Sequence, residues 1–138
     1  MTRRWQSTST EETRALGRAL ADELSPDGVL LLSGDLGAGK TVLAQGIAEG
    51  LGIDSREVQS PTFTILREHA GTSSKFFHLD LYRLEPLDAV RLGLEELLSG
   101  PGVKVVEWAE RLPFPLAGAL KVTLVVTAEG ARDLIESR

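Results

Sequence analysis

The sequence predicts an α/β fold in which a mixed, mostly parallel sheet is flanked by helices and ends in a C-terminal antiparallel hairpin. Three observations support this fold class. Short apolar runs alternate with helical patterns in the first part of the chain. The run VLLLS at 29–33 is continuously apolar, as is typical of a buried parallel strand. Near the C-terminus, the apolar segments 120–126 and 132–137 flank the turn AEG and can pair as a hairpin.

The first helix has a sequence signature at its N-terminus. Ser9 is followed three residues later by Glu12, which is the spacing of a capping box. Apolar residues then recur at helical spacing, so a helix is expected from about 10 to 24. A short edge strand at 2–7 is expected before it, and SPDG at 25–28 is expected to be a turn.

The remaining elements are predicted from the same kinds of pattern. Glycines 50 and 52 are expected to stop the helix that follows the first buried strand. The expected elements are a helix at 40–51, strands at 62–69 and 75–81 around the turn AGTSS, mostly helix in LDAVRLGLEELLSG, a strand at 103–108, and a short helix at AERL that ends before PFP.

Length and composition predict one globular domain spanning 1–138. The chain is 42% hydrophobic and 25% charged, with a net charge of -5. That charge argues against direct nucleic-acid binding through a broad basic surface, but it is compatible with docking to a basic partner. The chain has no cysteine and two histidines, which disfavours disulfides and zinc sites. No apolar run is long enough to span a bilayer, so we expect no membrane association and a cytoplasmic location.

The most informative motif is GDLGAGKT at 34–41, between the apolar strand and the next helix. It fits G-x-x-x-x-G-K-[ST] in full and predicts a P-loop NTPase fold. Gly37 and Gly39 allow backbone amides to approach a phosphate closely, and the helix N-terminus adds partial positive charge. Lys40 is expected to contact the β- and γ-phosphates, and the Thr41 hydroxyl to bind Mg²⁺.

The nucleotide is predicted to be ATP. GTPases read guanine with an Asn-Lys-x-Asp segment, whereas this chain contains no asparagine.

Two carboxylates end predicted strands near the P-loop. Asp80 ends KFFHLD and Glu107 ends VKVVE, and the carboxyl ends of parallel strands meet at the ligand crevice. An acid at the end of a buried strand needs a cation or donor, so both are candidate partners of Mg²⁺ or of its waters. The alternative is that each faces solvent or pairs with an arginine such as Arg83 or Arg111. Neither strand has four apolar residues before its acid, although VKVVE comes closer.

Several other residues have weaker signals. Thr62, in SPTF, lies where switch I occurs in many P-loop hydrolases, although Ser-Pro-Thr is also an ordinary turn. His78 shares a strand face with Asp80 and is expected to be a buried structural histidine, with ordering of a water or an acid as the alternative. Trp5 and Trp108 are expected to pack, although Trp108 could report on nucleotide. Arg132 is expected to be a solvated strand-edge charge, with a phosphate or ribose contact as the alternative.

The ordered motifs GDLGAGKT, SPTF, HLDLYRL and VEW resemble those of the TsaE (YjeE) family over nearly the whole chain. This is a family of small bacterial ATPases required for threonylcarbamoyladenosine formation on ANN-decoding tRNAs. The resemblance implies two ASKHA-class partner proteins, of the TsaD and TsaB types, through which the tRNA is reached indirectly. ATP hydrolysis would support repeated turnover of their threonylcarbamoyl-transferase complex.

The resemblance also implies roles for individual residues. The nucleotide-binding set is Thr10, Asp35, Leu36, Gly37, Ala38, Gly39, Lys40, Thr41 and Arg132. Thr41 and Glu107 would bind Mg²⁺ with Asp80 close by, and Lys40, Thr62, Asp80 and Glu107 form the catalytic set. Two departures from the family pattern are mild: Val42 follows the GKT where a second threonine is common, and Ala109 replaces the proline of EWP.

The expected reaction is attack of water on the γ-phosphate of Mg-ATP. No convincing arginine finger is present in the chain, so a slow ATPase gated by its partners is expected. Two alternatives remain open at the sequence level. One is a nucleotide-dependent assembly factor in which hydrolysis only resets the protein. The other is a small-molecule kinase, although no Arg-rich lid insert is visible.

Overall fold

The architecture is that of an α/β protein built on one sheet. The computed structural model describes residues 3–35, 38–59, 65–72 and 74–137. Within these residues the strands are Arg4–Ser7 (β1), Val29–Gly34 (β2), Leu66–Ala70 (β3), Lys75–Asp80 (β4), Val103–Glu107 (β5), Leu120–Val126 (β6) and Arg132–Ser137 (β7). The helices are Thr10–Leu24 (α1), Lys40–Gly50 (α2), Pro86–Arg91 (α3) and Leu94–Ser99 (α4), with 3₁₀ turns at Ser55–Glu57 and Ala109–Arg111.

The strand order is β1-β7-β6-β2-β5-β4-β3. The four central strands β6, β2, β5 and β4 are mutually parallel, and β3 and β7 run antiparallel to their neighbours. Because β1 is antiparallel to β7, it runs in the direction of the central strands. The predicted mixed, mostly parallel sheet and the C-terminal hairpin are therefore confirmed.

Helix α1 begins and ends where the sequence predicts, but its N-terminal cap differs in one bond. The Ser9 hydroxyl accepts a hydrogen bond from the Glu12 amide at 3.0 Å, as expected. The Glu12 carboxylate does not return to the Ser9 amide. It accepts instead from the amide and the hydroxyl of Thr8, at 2.6 and 2.7 Å. Thr8 offers the carboxylate two hydrogen bonds, whereas the Ser9 amide would offer one. The two bonds from Thr8 also hold the pKa of Glu12 below its ordinary value.

Helices α1 and α2 pack together on one face of the sheet. Their buried apolar residues join Leu30, Leu32, Val103 and Val105 in one core cluster. Where the two helices cross, Gly17 and Gly46 let the backbones approach. A Cβ at Gly46 would lie 2.2 Å from the Arg14 carbonyl oxygen. This crossing sets the position of α2, and therefore of the loop that precedes it.

The Gly46→Ala variant is expected to be destabilised by about 1–3 kcal/mol, because the added methyl group meets helix backbone that cannot move aside cheaply. Gly100→Ala is the matched control, since a Cβ there meets nothing closer than 3.4 Å and its φ of -91° suits any residue. Urea unfolding of both variants measures the difference. Equal midpoints would show that the close approach is not required.

Helices α3 and α4 cover the opposite face of the sheet. Leu94 and Leu98 pack there with Leu79 and Val106 in a second core cluster. The helical segment that the sequence predicts between 87 and 100 is divided in two, because Gly93 adopts a left-handed conformation with φ 62°. In the described part of the chain, no helix is both long and apolar enough to cross a membrane.

The lysine that interrupts the apolar pattern of β5 is fully buried. The side chains of Lys104 and Glu107 point to opposite faces because their positions differ by an odd number. The Lys104 ammonium donates to the carbonyl oxygens of Asp27, at 2.9 Å, and Gly100. Burial lowers its pKa. Lys104 therefore caps the far end of the strand and leaves the Glu107 end unaffected.

Candidate nucleotide-binding site

The Gly-rich loop joins the end of β2 to the start of α2. The Ala38 amide donates to the Asp35 carbonyl at 3.1 Å, and Gly39, with φ 102°, caps the helix in a left-handed conformation that suits glycine. Leu43 makes the first helical hydrogen bond, to the Gly39 carbonyl. Two predicted site residues, Leu36 and Gly37, lie outside the described residues.

Lys40 is the first residue of α2 and is buried, with 5% of its surface exposed. Its ammonium group donates to the carbonyl oxygens of Gly34 and, at 3.3 Å, Asp35. Among the described residues it has no carboxylate partner within ion-pair distance. A buried cation whose hydrogen bonds go to neutral carbonyls at a helix N-terminus retains its attraction for an anion. The loop is therefore suited to a phosphate group.

The Thr41 hydroxyl lies 3.3 Å from both carboxylate oxygens of Glu107. The sheet register explains this contact. Leu32 of β2 pairs with Glu107 of β5, so the carboxyl ends of the two strands meet beside the helix N-terminus. Glu107 shares a face with Val103 and Val105, which pack beneath α2. Glu107 is 3% exposed, so its carboxylate is fixed at the mouth of the loop.

His78 holds the other side of the Glu107 carboxylate. Its Nε2 contacts Glu107 Oε2, and both side chains are buried. The sequence favours a structural histidine here, and the structure adds that the group it orders is an acid. His78 Nδ1 has no hydrogen-bond partner among the described residues, so Glu107 is its polar contact. On the neighbouring strand, burial and the proximity of His78 lower the pKa of His69.

Asp80 ends β4 directly opposite Glu107 in the parallel register. Its Oδ1 accepts from the Tyr82 amide at 3.0 Å, which turns the chain at the end of the strand. Asp80 is half-buried and shares a strand face with His78. The structure thus brings both predicted carboxylates to the same end of the sheet, with Glu107 the one in contact with Thr41.

Arg132 reaches the loop from β7. Its Nε donates to the Ala38 carbonyl at 3.1 Å, and its Nη1 donates to the Gly130 carbonyl at 2.7 Å. The expectation of a solvated strand-edge charge is therefore wrong. Thr10, the first residue of α1, lies nearby in the fold because Ser7 of β1 pairs with Arg132. Asp35 is exposed at the start of the loop.

The sequence predicts a switch-like loop at SPTF. Residues 60–64, and with them Thr62, lie outside the described residues, and the strand predicted at 62–69 is described as Leu66–Ala70. Just before this segment, the Gln45 side chain of α2 donates to the Val58 carbonyl at 2.8 Å.

The donor set of the site suits a hard cation. A threonine hydroxyl and a carboxylate supply oxygen ligands, which Mg²⁺ prefers. No group of three or more His, Cys, Asp or Glu side chains in the described ranges is arranged to hold a metal. Magnesium in phosphate-transfer sites needs no such cluster, because it uses one or two protein ligands together with substrate phosphates and waters. The residues present therefore fit Mg²⁺ bound together with a nucleotide.

Most of the chain matches one known protein family. The family model described as "Threonylcarbamoyl adenosine biosynthesis protein TsaE" matches residues 7–134. The matched segment runs from the end of β1 into β7, and so includes both the Gly-rich loop and the Thr41–Glu107 contact.

Relatives and a solved structure give the same result. The chain is 43% identical to a tRNA threonylcarbamoyladenosine biosynthesis protein TsaE of Nostoc, covering 89% of this chain and 78% of the relative. It is 46% identical to the Bacillus subtilis protein of that name, covering 80% of this chain and 71% of the relative. It is 38% identical to the Treponema pallidum protein of that name, covering 93% of this chain and 95% of the relative. The crystal structure of Bacillus subtilis YdiB superposes with a TM-score of 0.77 at 32% identity, covering 99% of this chain and 84% of that one. The chain belongs to the TsaE family of tRNA threonylcarbamoyladenosine biosynthesis proteins.

Proposed function

We propose that this chain, as a single domain spanning 1–138, binds and hydrolyses Mg-ATP to support turnover of a threonylcarbamoyl-transferase complex. The observation that carries the proposal is the Thr41–Glu107 contact at the mouth of the Gly-rich loop, beside the buried Lys40 ammonium. A hydroxyl, a carboxylate and a cation at one helix N-terminus match the requirements of a nucleotide phosphate chain and its magnesium ion.

The phosphates would be bound by the loop from Asp35 to Thr41. Backbone amides and the N-terminus of α2 favour negative charge, and Lys40 supplies a full positive charge. To reach a phosphate, the Lys40 ammonium exchanges its bonds to neutral carbonyls for bonds to anionic oxygens, which are stronger. Arg132 stabilises the loop through the Ala38 carbonyl, and Thr10 approaches the nucleotide from the start of α1.

Magnesium would be held by Thr41 and Glu107, with Asp80 binding one of its waters. When bound, Mg²⁺ neutralises negative charge on the phosphate oxygens. His78 keeps the Glu107 carboxylate directed at the Thr41 hydroxyl. Because Glu107 is buried, it cannot turn away to solvent, so the site is preorganised for the cation.

In the proposed reaction, a water oxygen forms a bond to the γ-phosphorus while the bond to the β,γ-bridging oxygen breaks. The products are ADP and phosphate, and the proton of the attacking water leaves with the phosphate or to solvent. Lys40 and the loop amides stabilise the charge that develops on the transferring group. Asp80 or Glu107 orients the water, with Thr62 contributing from the switch-like loop.

Partner proteins would complete this site. We propose that the two proteins are ASKHA-class subunits of the TsaD and TsaB types and that the tRNA is reached through them. The net charge of -5 agrees with a protein that does not itself bind the phosphate backbone of the tRNA. Arg132 is bonded to the Ala38 carbonyl, so we do not assign it as an arginine finger, and we propose that the isolated chain is a slow ATPase.

Steady-state hydrolysis of Mg-ATP tests this function, measured with the chain alone and then with the two partner proteins of its own organism. We expect slow turnover alone and a rise on adding the partners. Mg²⁺ withdrawn with EDTA should abolish both rates. Equal rates with and without the partners would contradict the gating, and no hydrolysis under any condition would contradict the ATPase.

A further inference from the structure

Trp108 has an unusual backbone conformation. Its φ of 58° and ψ of 44° place it in the left-handed region, and it is the one non-glycine residue with positive φ among those the structure describes. Bulky side chains rarely adopt this conformation, because Cβ crowds the neighbouring backbone. Strain of this kind persists where the surroundings fix it, and it occurs most often at functional sites.

The left-handed turn places the indole ring against the lysine of the Gly-rich loop. Strand β5 ends at Glu107, and the chain turns at Trp108, whose carbonyl accepts from the Arg111 amide at 3.0 Å. The Lys40 ammonium lies 3.9 Å from the centroid of the Trp108 ring. An extended conformation would direct the ring elsewhere, so the contact depends on this turn.

The ring is itself held in place. The ring of Tyr82 packs against it, with centroids 4.9 Å apart and an angle of 48° between planes. The Arg111 guanidinium lies over the Tyr82 ring at 5.6 Å from its centroid. Trp108 also packs against the second core cluster. These contacts hold the indole ring in place independently of the position of the Lys40 side chain.

We infer that Trp108 is a positioning residue for Lys40, holding the ammonium group in the loop by a cation–π contact. This inference rests on the proposed function, since it concerns the lysine that would bind the nucleotide phosphates. A lysine side chain has many rotamers, and ordering it costs entropy. The indole ring restricts the Lys40 side chain before the nucleotide binds. The side chain therefore loses less conformational entropy on binding.

The variants Trp108→Phe and Trp108→Leu separate this role from simple packing. Phenylalanine keeps an aromatic face, whereas leucine keeps only apolar bulk. We expect mant-ATP to bind Trp108→Leu roughly 5- to 30-fold more weakly than the wild-type chain, and Trp108→Phe within about threefold of wild type. Equal losses in both variants, or no loss in either, would overturn the inference.

A direct measurement of the lysine position accompanies the binding assay. The chain has four lysines, so a protein labelled at lysine Cε gives few NMR signals, and Lys40→Met assigns that of Lys40. The Lys40 Hε protons should be shifted upfield by the indole ring in the wild-type chain. In Trp108→Leu they should move to the position of exposed Lys121. A Lys40 signal that does not move would overturn the inference even if the variant binds nucleotide poorly.

Failure of the inference and failure of the proposed function give different results. If the wild-type chain does not bind mant-ATP, the proposed function is wrong. If the wild-type chain and Trp108→Leu bind mant-ATP equally, only the proposed positioning role of Trp108 is wrong. The NMR shift is measured without nucleotide, so it tests the contact in either case. Thermal unfolding of both variants confirms that each is folded at the assay temperature.

Discussion

Replacing Lys40 with alanine is expected to weaken ATP binding by at least about 100-fold, and to abolish hydrolysis with it. The substitution removes the one full positive charge that the loop holds at the start of α2. A hydrogen bond to a charged group contributes about 1.5–3 kcal/mol, and the lysine is expected to make more than one to the phosphates. Calorimetric titration with Mg-ATP measures the binding loss, and phosphate release measures the turnover.

Lys121→Ala is the control for the loss of a lysine. Lys121 is exposed on β6, so its removal changes the net charge equally without touching the loop. Its ATP affinity should remain that of the wild-type chain. If Lys40→Ala bound and hydrolysed ATP like Lys121→Ala, the assignment of the loop as a phosphate site would be wrong. Thermal unfolding of both variants tests whether loss of the Lys40 bonds to Gly34 and Asp35 affects the fold.

The Glu107→Gln variant is expected to separate hydrolysis from binding. Glutamine has nearly the same size and can still contact Thr41 and His78, but it lacks the negative charge with which a carboxylate attracts Mg²⁺. Metal-ion stabilisation of a phosphoryl transition state contributes several kcal/mol, so turnover should fall by at least about 100-fold. ATP binding should weaken by less than about tenfold, because the loop amides and Lys40 remain.

Glu110→Gln, in the exposed 3₁₀ turn that follows β5, is the matched control and should hydrolyse ATP normally. A titration of each variant with Mn²⁺ in the presence of ADP, followed by electron paramagnetic resonance, reports on the metal without requiring turnover. Wild-type metal affinity in Glu107→Gln would show that another group, such as Asp80, is the direct ligand.

The sequence predicts the fold of this chain well because each element has a local signal. The periodicity of α1 gives its bounds, and the apolar run of β2 followed by GDLGAGKT gives the strand, the turn and the start of α2. The two C-terminal segments pair as predicted because AEG supplies the turn, with the Thr127 amide bonded to the Ala131 carbonyl at 2.8 Å. Local signals of this kind do not depend on distant partners.

The side-chain contacts at the site depend on register, which the sequence does not specify. Asp80 and Glu107 are found from their positions at strand ends, but only the pairing of β2, β4 and β5 shows that Glu107 contacts Thr41. Trp108 offers no sequence signal for its left-handed turn, because bulky residues rarely adopt this conformation and no turn motif marks the position. The bond from Arg132 to the Ala38 carbonyl likewise has no local sequence signal, because it joins residues that are far apart in the chain.

Lys104 breaks the apolar pattern of VKVVE, and the sequence does not show how its charge is accommodated. Read along the strand, Lys104 weakens the resemblance to a strand that delivers an acid to a nucleotide site. Its ammonium is in fact satisfied at the far end of the strand by two carbonyl groups. Alternation along the strand separates Lys104 from Glu107, but whether a buried lysine finds acceptors is decided by the loops at Asp27 and Gly100.

We propose that this protein hydrolyses ATP to support repeated rounds of tRNA modification, and a multiple-turnover assay counts those rounds. Threonylcarbamoyladenosine is measured with tRNA in excess over the two partner proteins, in the presence of the wild-type chain, of Glu107→Gln or of neither. We expect many rounds with the wild-type chain and no more than about one per complex with the variant. Full turnover with a Glu107→Gln protein that binds ATP but does not hydrolyse it would show that hydrolysis is not required and would identify a nucleotide-dependent assembly factor.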